Sequence, residues 1–219
     1  LSKKPGTMSP VFCEFTVDIC KQSCYALFTD VDRKDVHAME QSRIDLTQAE
    51  WQVMECLWEQ APRTGREAAE YMARRTGWSR STTLTLLQRL EDEMADRLAD
   101  LCKSHRPEDS ASGQFPFLRD LYRFIRDNAD LCRVLLGPNG DIAYTDRICR
   151  ILRDNFLFDF LSLFYPGDRQ RLNSFCSFIV SGNLNLALAW LREGGQESPD
   201  EMAQLAGGII MGGVSALKP

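Results

Sequence analysis

Gly77-Trp78-Ser79-Arg80-Ser81-Thr82-Thr83-Leu84-Thr85-Leu86-Leu87-Gln88-Arg89-Leu90 is the stretch whose reading decides the fold. A glycine breaks the chain, Ser79 can accept an early backbone N–H, and a helix follows from Arg80. At about 100° per residue, Thr83, Leu87, Leu90 and Met94 fall on one side with Leu86 flanking, while Ser81, Thr85, Gln88, Arg89 and Asp92 fall opposite. One side is suited to burial and the other to water or a polar partner.

Upstream, two further helices announce themselves by their starts. Thr47-x-x-Glu50 and Thr64-x-x-Glu67 are capping boxes, in which the threonine oxygen accepts an early N–H and the glutamate reaches back. Trp51, Met54, Leu57 and Trp58 are expected to face one way on the first helix, and Ala68, Ala69, Met72 and Ala73 on the second. Three amphipathic helices with a tight turn before the last describe a helix-turn-helix. Residues 61–90 hold six arginines against two glutamates, in a chain whose net charge is −5. The overall balance excludes coating of nucleic acid by the whole surface, but leaves this local basic footprint. Serine, threonine, glutamine and arginine on an exposed helix face can bond base edges or phosphates, and Arg80 lies in the first turn, which reaches DNA first in such folds. The alternative is an ordinary solvated face.

Downstream the pattern stays helical, with breaks at residues 104–113, Gly137-Pro138-Asn139-Gly140, Pro166-Gly167 and Gly194-Gly195. Residues 172–191 carry no charge over a length that can span a bilayer, but Asn173, Ser174, Ser177, Ser181, Gly182, Asn183 and Asn185 make a buried or interface helix the better reading. This helix and the one over 202–217 are apolar on too many sides for a monomer surface, which predicts a two-fold four-helix interface. Phe124, Phe156, Phe160, Phe164 and Trp190 are candidates to line a pocket for a small hydrophobic effector, with ordinary core packing as the alternative.

The first segment is different. Phe15, Val17 and Ile19 alternate, and Cys13, Cys20, Cys24 and His37 offer zinc-type donors without any CxxC spacing, so no metal site is expected. Five of the eight cysteines sit in apolar helical patterns, as reduced thiols of a cytoplasmic protein do. No secretory signal pattern opens the chain. Neither histidine neighbours a nucleophile and no phosphate-cradling glycine loop is present, so neither an enzyme nor a bound cofactor is expected.

Leu46-Thr47-Gln48-Ala49-Glu50-Trp51-Gln52-Val53-Met54, then Leu57-Trp58, Gly77-Trp78-Ser79 and residues 82–90, closely resemble the DNA-binding region of the BlaI/MecI penicillinase repressors. The resemblance implies that the helix from Arg80 is the recognition helix. That family continues into a β-hairpin wing; here Glu91-Asp92-Glu93 leads instead into acidic, helical sequence through Leu101. From residue 92 the chain resembles the C-terminal ligand-binding and dimerisation domain of TetR-type regulators, through residues 117–122 with Asn128-x-x-Leu131, residues 135–141, 182–191 and Ser198-Pro199-Asp200-Glu201-Met202. The expectation is an all-α hybrid: an extension over 1–43, a wingless helix-turn-helix over 44–91, and a TetR-like helical bundle over 92–219. The implied function is a ligand-responsive, homodimeric transcriptional regulator, a repressor by family. Arg80, Ser81, Thr82, Thr85, Gln88 and Arg89 are its candidate contacts to operator DNA. The competing reading is a dimeric small-molecule-binding or interaction protein whose helix-turn-helix no longer grips DNA, favoured by the lost wing and by acidic Asp92, Glu93, Asp96 and Asp100.

Overall fold

Local chemistry at positions 47, 64 and 79 starts the first three helices among the described residues, as the spacing predicts. In the computed structural model, which describes residues 43–59, 64–107, 115–138, 140–165 and 167–217, helix α1 spans Gln48–Glu59, α2 Gly65–Thr76 and α3 Arg80–Ser104. The Thr47 N–H donates to Glu50 Oε2 at 2.9 Å, and the Thr64 N–H to Glu67 Oε2 at 2.8 Å. Ser79 Oγ accepts from the Thr82 N–H at 3.1 Å. Gly77 ends α2 with φ at 75°, a left-handed conformation that a side chain resists, and its N–H closes on Ala73 O.

The buried stripe of α1 is Val53, Met54, Cys56 and Leu57. Trp51 and Trp58 lie on its flank, each 37% exposed, and pack edge to face on one another at 5.5 Å. Seven residues apart, they share a side of the helix, but that side meets the core only at its margin. Ala73 likewise lies on the exposed side of α2, while Ala68, Ala69 and Met72 are buried.

Helix α3 does not stop where a recognition helix usually does. Its 25 residues extend about 37 Å, with Thr83, Leu86, Leu90, Met94, Leu98 and Cys102 buried along one line. The domain boundary expected at 91/92 falls inside it. Helices α4 (Pro116–Asp127), α5 (Ala129–Leu135), α6 (Ile142–Leu152), α7 (Phe158–Ser162), α8 (Arg169–Arg192) and α9 (Pro199–Leu217) complete the bundle. Between α6 and α7, residues Arg153–Leu157 form a π-helical turn in which the Phe158 N–H donates to Arg153 O. No strand occurs among the described residues, so the chain after Leu90 is helix and not a wing. The all-α class holds.

Helices α1 and α2 pack on α3, and so do α4, α6 and the π-helical turn; α9 lies against α4. One apolar cluster runs from Ile44 to Val214. The seam is also polar: the Ile44 N–H donates to Asn128 Oδ1 at 2.8 Å, both residues being buried, and Asn128 Nδ2 donates to Phe124 O. Cys56, Cys102, Cys132 and Cys176 are buried, and Cys149 is half-buried. By length and composition α8 could cross a membrane, but a third of its apolar window is buried in this fold. The alternation at Phe15, Val17 and Ile19, and the donors Cys13, Cys20, Cys24 and His37, lie outside the described residues.

Candidate nucleic-acid interface

The two faces of α3 separate cleanly. Arg80, Ser81, Thr82, Thr85, Gln88 and Arg89 are all exposed, while Thr83, Leu86 and Leu90 between them are buried. The structure therefore places the six sequence-predicted residues on one accessible side.

Their freedom differs. Ser79 Oγ lies 2.8 Å from both Ser81 Oγ and Thr82 Oγ1, so the first-turn hydroxyls form a small cluster around the helix start. Among the described residues, Arg80 and Thr85 make no side-chain hydrogen bond or ion pair. Gln88 Nε2 donates to Asp92 Oδ1 at 3.3 Å. At the edge of the face toward α1, Arg89 Nη2 lies 3.5 Å from Glu50 Oε1, with the arginine side chain 61% exposed and the glutamate 7%. Glu50 is thus shared: one oxygen caps Thr47 and the other holds Arg89. The arginine braces α3 against α1 while most of its surface remains available.

Sequence reasoning put an acid, Asp92, on the proposed reading side. The structure gives it a cation from another helix: Arg147 Nη1 on α6 donates to Asp92 Oδ1 at 2.5 Å. That hydrogen bond holds the Asp92 carboxyl below the usual carboxylate range. Of the acids that follow, Glu93 pairs with Arg97 and Asp100 with Lys103, while Asp96 adds to the field at Arg147. Burial pushes the neighbouring Glu91 carboxyl upward, with Asp141 and Asp92 adding to it. Field from this acidic run is therefore muted where it borders α3's exposed side.

Two contributors escaped sequence reading. Leu84 stands 38% exposed among the polar residues of α3, beside Gly65 at the start of α2. Arg147 lies 55 residues from Asp92, and no local pattern could have paired them.

The aromatic candidates sit inside the bundle. Phe124, Phe156, Phe160 and Trp190 are buried and Phe164 half-buried. Phe156 stacks on Phe117 at 3.8 Å and on Phe160 at 5.8 Å, Phe160 meets Phe164 edge-on at 5.2 Å, and Trp190 meets Tyr122 at 5.6 Å. Four of the five are thus in ring-to-ring contact, and Phe124 is buried in the core without one among the described residues. An open groove lies elsewhere, between α6 and α8, and none of the five lines it.

Comparison with known proteins agrees with this division. Residues 46–95 match the penicillinase repressor family, and residues 114–212 match a transcriptional regulator C-terminal region of the TetR type. No curated protein and no solved structure matches the chain. Both matched regions are parts of transcription regulators, and α3 begins in the first and packs against helices of the second. The chain is a hybrid of a BlaI-type N-terminal region and a TetR-type C-terminal region, and it is a DNA-binding transcriptional regulator.

Proposed function

We propose that this regulator is a cytoplasmic homodimeric repressor that reads operator DNA with α3 and releases it when a small effector occupies the C-terminal bundle. The observation that carries the reading is the exposed row on α3, with its opposite side committed to the core. In this reading Arg80 meets phosphate, and Ser81, Thr82, Thr85, Gln88 and Arg89 approach base edges in the major groove.

Dimerisation is supported by the exposed sides of α8 and α9. Phe178 is 71% exposed, and Leu205 and Ile209 are about half exposed. Gly182, Gly208 and Gly212 have open space around them, so a partner helix can approach closely. Two copies joined there present two α3 helices to successive major grooves. A small hydrophobic effector would enter by parting the rings of Phe124, Phe156, Phe160, Phe164 and Trp190, and the resulting shift in the bundle would reach α3 directly, since α3 packs against α6 and the π-helical turn.

The test is selection from random duplexes read by fluorescence anisotropy at several salt concentrations. Enrichment of a palindrome with a steep negative salt slope supports a dimeric reader. Absence of enrichment and of salt-dependent binding refutes it and leaves the bundle as the working part of a small-molecule-binding protein.

A further inference from the structure

Residues 146, 149 and 150 lie on one side of α6 with Arg153 just beyond its end, and Ser177 and Ser181 one turn apart on α8; between them lies an open groove of about 280 Å³. That is near the lower end of ligand-site volumes, about 300–1,000 Å³, and suits a small molecule. Its donors are in surplus. Each guanidinium carries five N–H groups. Arg153 uses three nitrogens, Nε and Nη2 toward Asp154 at 2.7 and 3.3 Å and Nη1 toward Ser177 Oγ at 3.4 Å. Ser177 spends its own hydrogen on Asn173 O at 3.0 Å, so toward Arg153 it can only accept. Arg150 is exposed and makes no ion pair among the described residues. Against these donors the lining holds one carboxylate, Asp146, and Asp154 beside it pairs with Arg153 and feels the Arg150 charge.

A second feature marks the same place. The π-helical turn begins at Arg153, and its wider winding sets that side chain across to α8. Such turns inside helices are frequent at functional sites. The half-buried thiol of Cys149 lies in the wall, bonded to Ser181 and pushed upward in pKa by burial.

We infer that the α6–α8 groove binds a small organic anion, a carboxylate or phosphate ester, through Arg150, Arg153 and the groove hydroxyls. As an input site it rests on the regulator reading above, and α6 suits that use: its Arg147 holds Asp92 of α3.

Cys149 supplies a built-in reporter. Iodoacetate is itself a small carboxylate and iodoacetamide is its neutral counterpart; in both cases the sulfur displaces iodide from carbon. Their rate ratio at one thiol cancels that thiol's acidity and leaves the site's preference for charge. The full chain is alkylated with each reagent and the peptide of residues 146–153 is quantified by mass spectrometry. The expected ratio exceeds that for glutathione by about tenfold, the gain that local charge focusing gives an anion. Inorganic phosphate should slow iodoacetate selectively, Asp146→Asn should raise the ratio, and Arg150→Gln, at an exposed position, should lower it. Arg153→Gln removes a bridge between helices, so its result counts only where the melting temperature is retained. A ratio equal to that of glutathione, insensitive to phosphate and to Arg150→Gln, overturns the site. The labelling needs no DNA, so that outcome leaves the DNA reading standing, and a positive ratio in a protein that selects no duplex keeps the site while removing its regulatory use.

Discussion

His105 closes the C-terminal end of α3, and its ring nitrogens face the Asp120 carboxylate, the Leu101 carbonyl and the Ser104 hydroxyl, which itself donates to Leu101 O. Nδ1 lies 3.0 Å from Leu101 O and Nε2 3.1 Å from Asp120 Oδ2 on α4, with the ring edge-on to Phe117. A neutral imidazole donates through one nitrogen, whereas the imidazolium donates through both. The Asp120 hydrogen bond raises the His105 pKa, burial opposing and the Leu101 carbonyl helping; the Arg119 charge works against it. Burial pushes the Asp120 carboxyl upward, but hydrogen bonds from His105 and Arg119 outweigh it and leave the group lowered. Since the folded His105 pKa lies above the unfolded value of about 6.5, its contribution is complete below that value and is lost as pH rises through the folded one. The Asp120 contribution has the opposite sense, present above about pH 4 and lost on acidification. The pair therefore stabilises most at about pH 5 to 6. A hydrogen bond to a charged group contributes about 1.5–3 kcal/mol. Asp120 is about a third exposed and shares its other oxygen with Arg119 and Arg123, so the lower figure, nearer about 1 kcal/mol, applies. Over a unit of this size that corresponds to about 2–4 °C in melting temperature. The assay is urea unfolding of the parent chain and of Asp120→Asn at pH 6 and pH 9, with His105 titrated by NMR in a His37→Gln background. Asp120→Asn should cost more at pH 6 than at pH 9 and should lower the His105 pKa. Equal costs at the two pH values, or a parent His105 pKa at or below 6.5, would refute the two-donor reading.

Arg80→Ala should weaken operator binding alike for all sequences and reduce the salt slope by about one, as removal of a phosphate contact does, with unfolding unchanged. Arg89→Ala should weaken binding and also lower stability by about 1 kcal/mol, because the nearly buried Glu50 loses its cation; urea unfolding beside the anisotropy titration separates the two effects. Arg147→Gln should weaken DNA binding by freeing the Asp92 charge on the reading side, and adding Asp92→Asn should restore it; failure of the double variant to recover counts against that account. Phe178→Arg with Ile209→Arg should convert a dimer to a monomer by light scattering, and a parent protein already monomeric at micromolar concentration removes the α8–α9 interface.

What the sequence disclosed was local. The capping boxes at 47–50 and 64–67 and the cap at Ser79 operate across three residues, so their chemistry is written consecutively, and the inner and outer faces of α3 follow from helical spacing. Trp51 and Trp58 were misplaced because hydrophobicity does not specify which flank of a helix the core reaches. The π-helical turn adds a residue to one turn without any breaker to announce it. Asp92 with Arg147 and Ile44 with Asn128 are joined only by the fold, 55 and 84 residues apart. Stacked aromatics and pocket-lining aromatics use the same residues, and Phe156 and Phe160 show why composition could not separate them.

The loss of the wing and the length of α3 have linked consequences. A winged reader adds phosphate contacts beyond its recognition helix; without a wing, the proposed reading puts more of the affinity on the placement of α3 itself, with α2 adding exposed Arg74 while Arg66 is paired with Glu70. That placement is set from the far end. α3 continues unbroken into the bundle, where Leu98 and Cys102 are buried and Arg147 holds Asp92, so there is no hinge at 91/92 to absorb a change in the bundle. A tilt of about 5° at the buried end of a helix about 37 Å long carries its first turn about 3 Å. Hydrogen bonds to base edges tolerate only a few tenths of an ångström, so such a tilt is enough to take Ser81, Thr85 and Gln88 out of register. On the proposed reading, fusing the reading helix to the connecting helix would convert a small rearrangement among α4, α6 and the π-helical turn into loss of DNA contact without any part of the helix-turn-helix having to unfold.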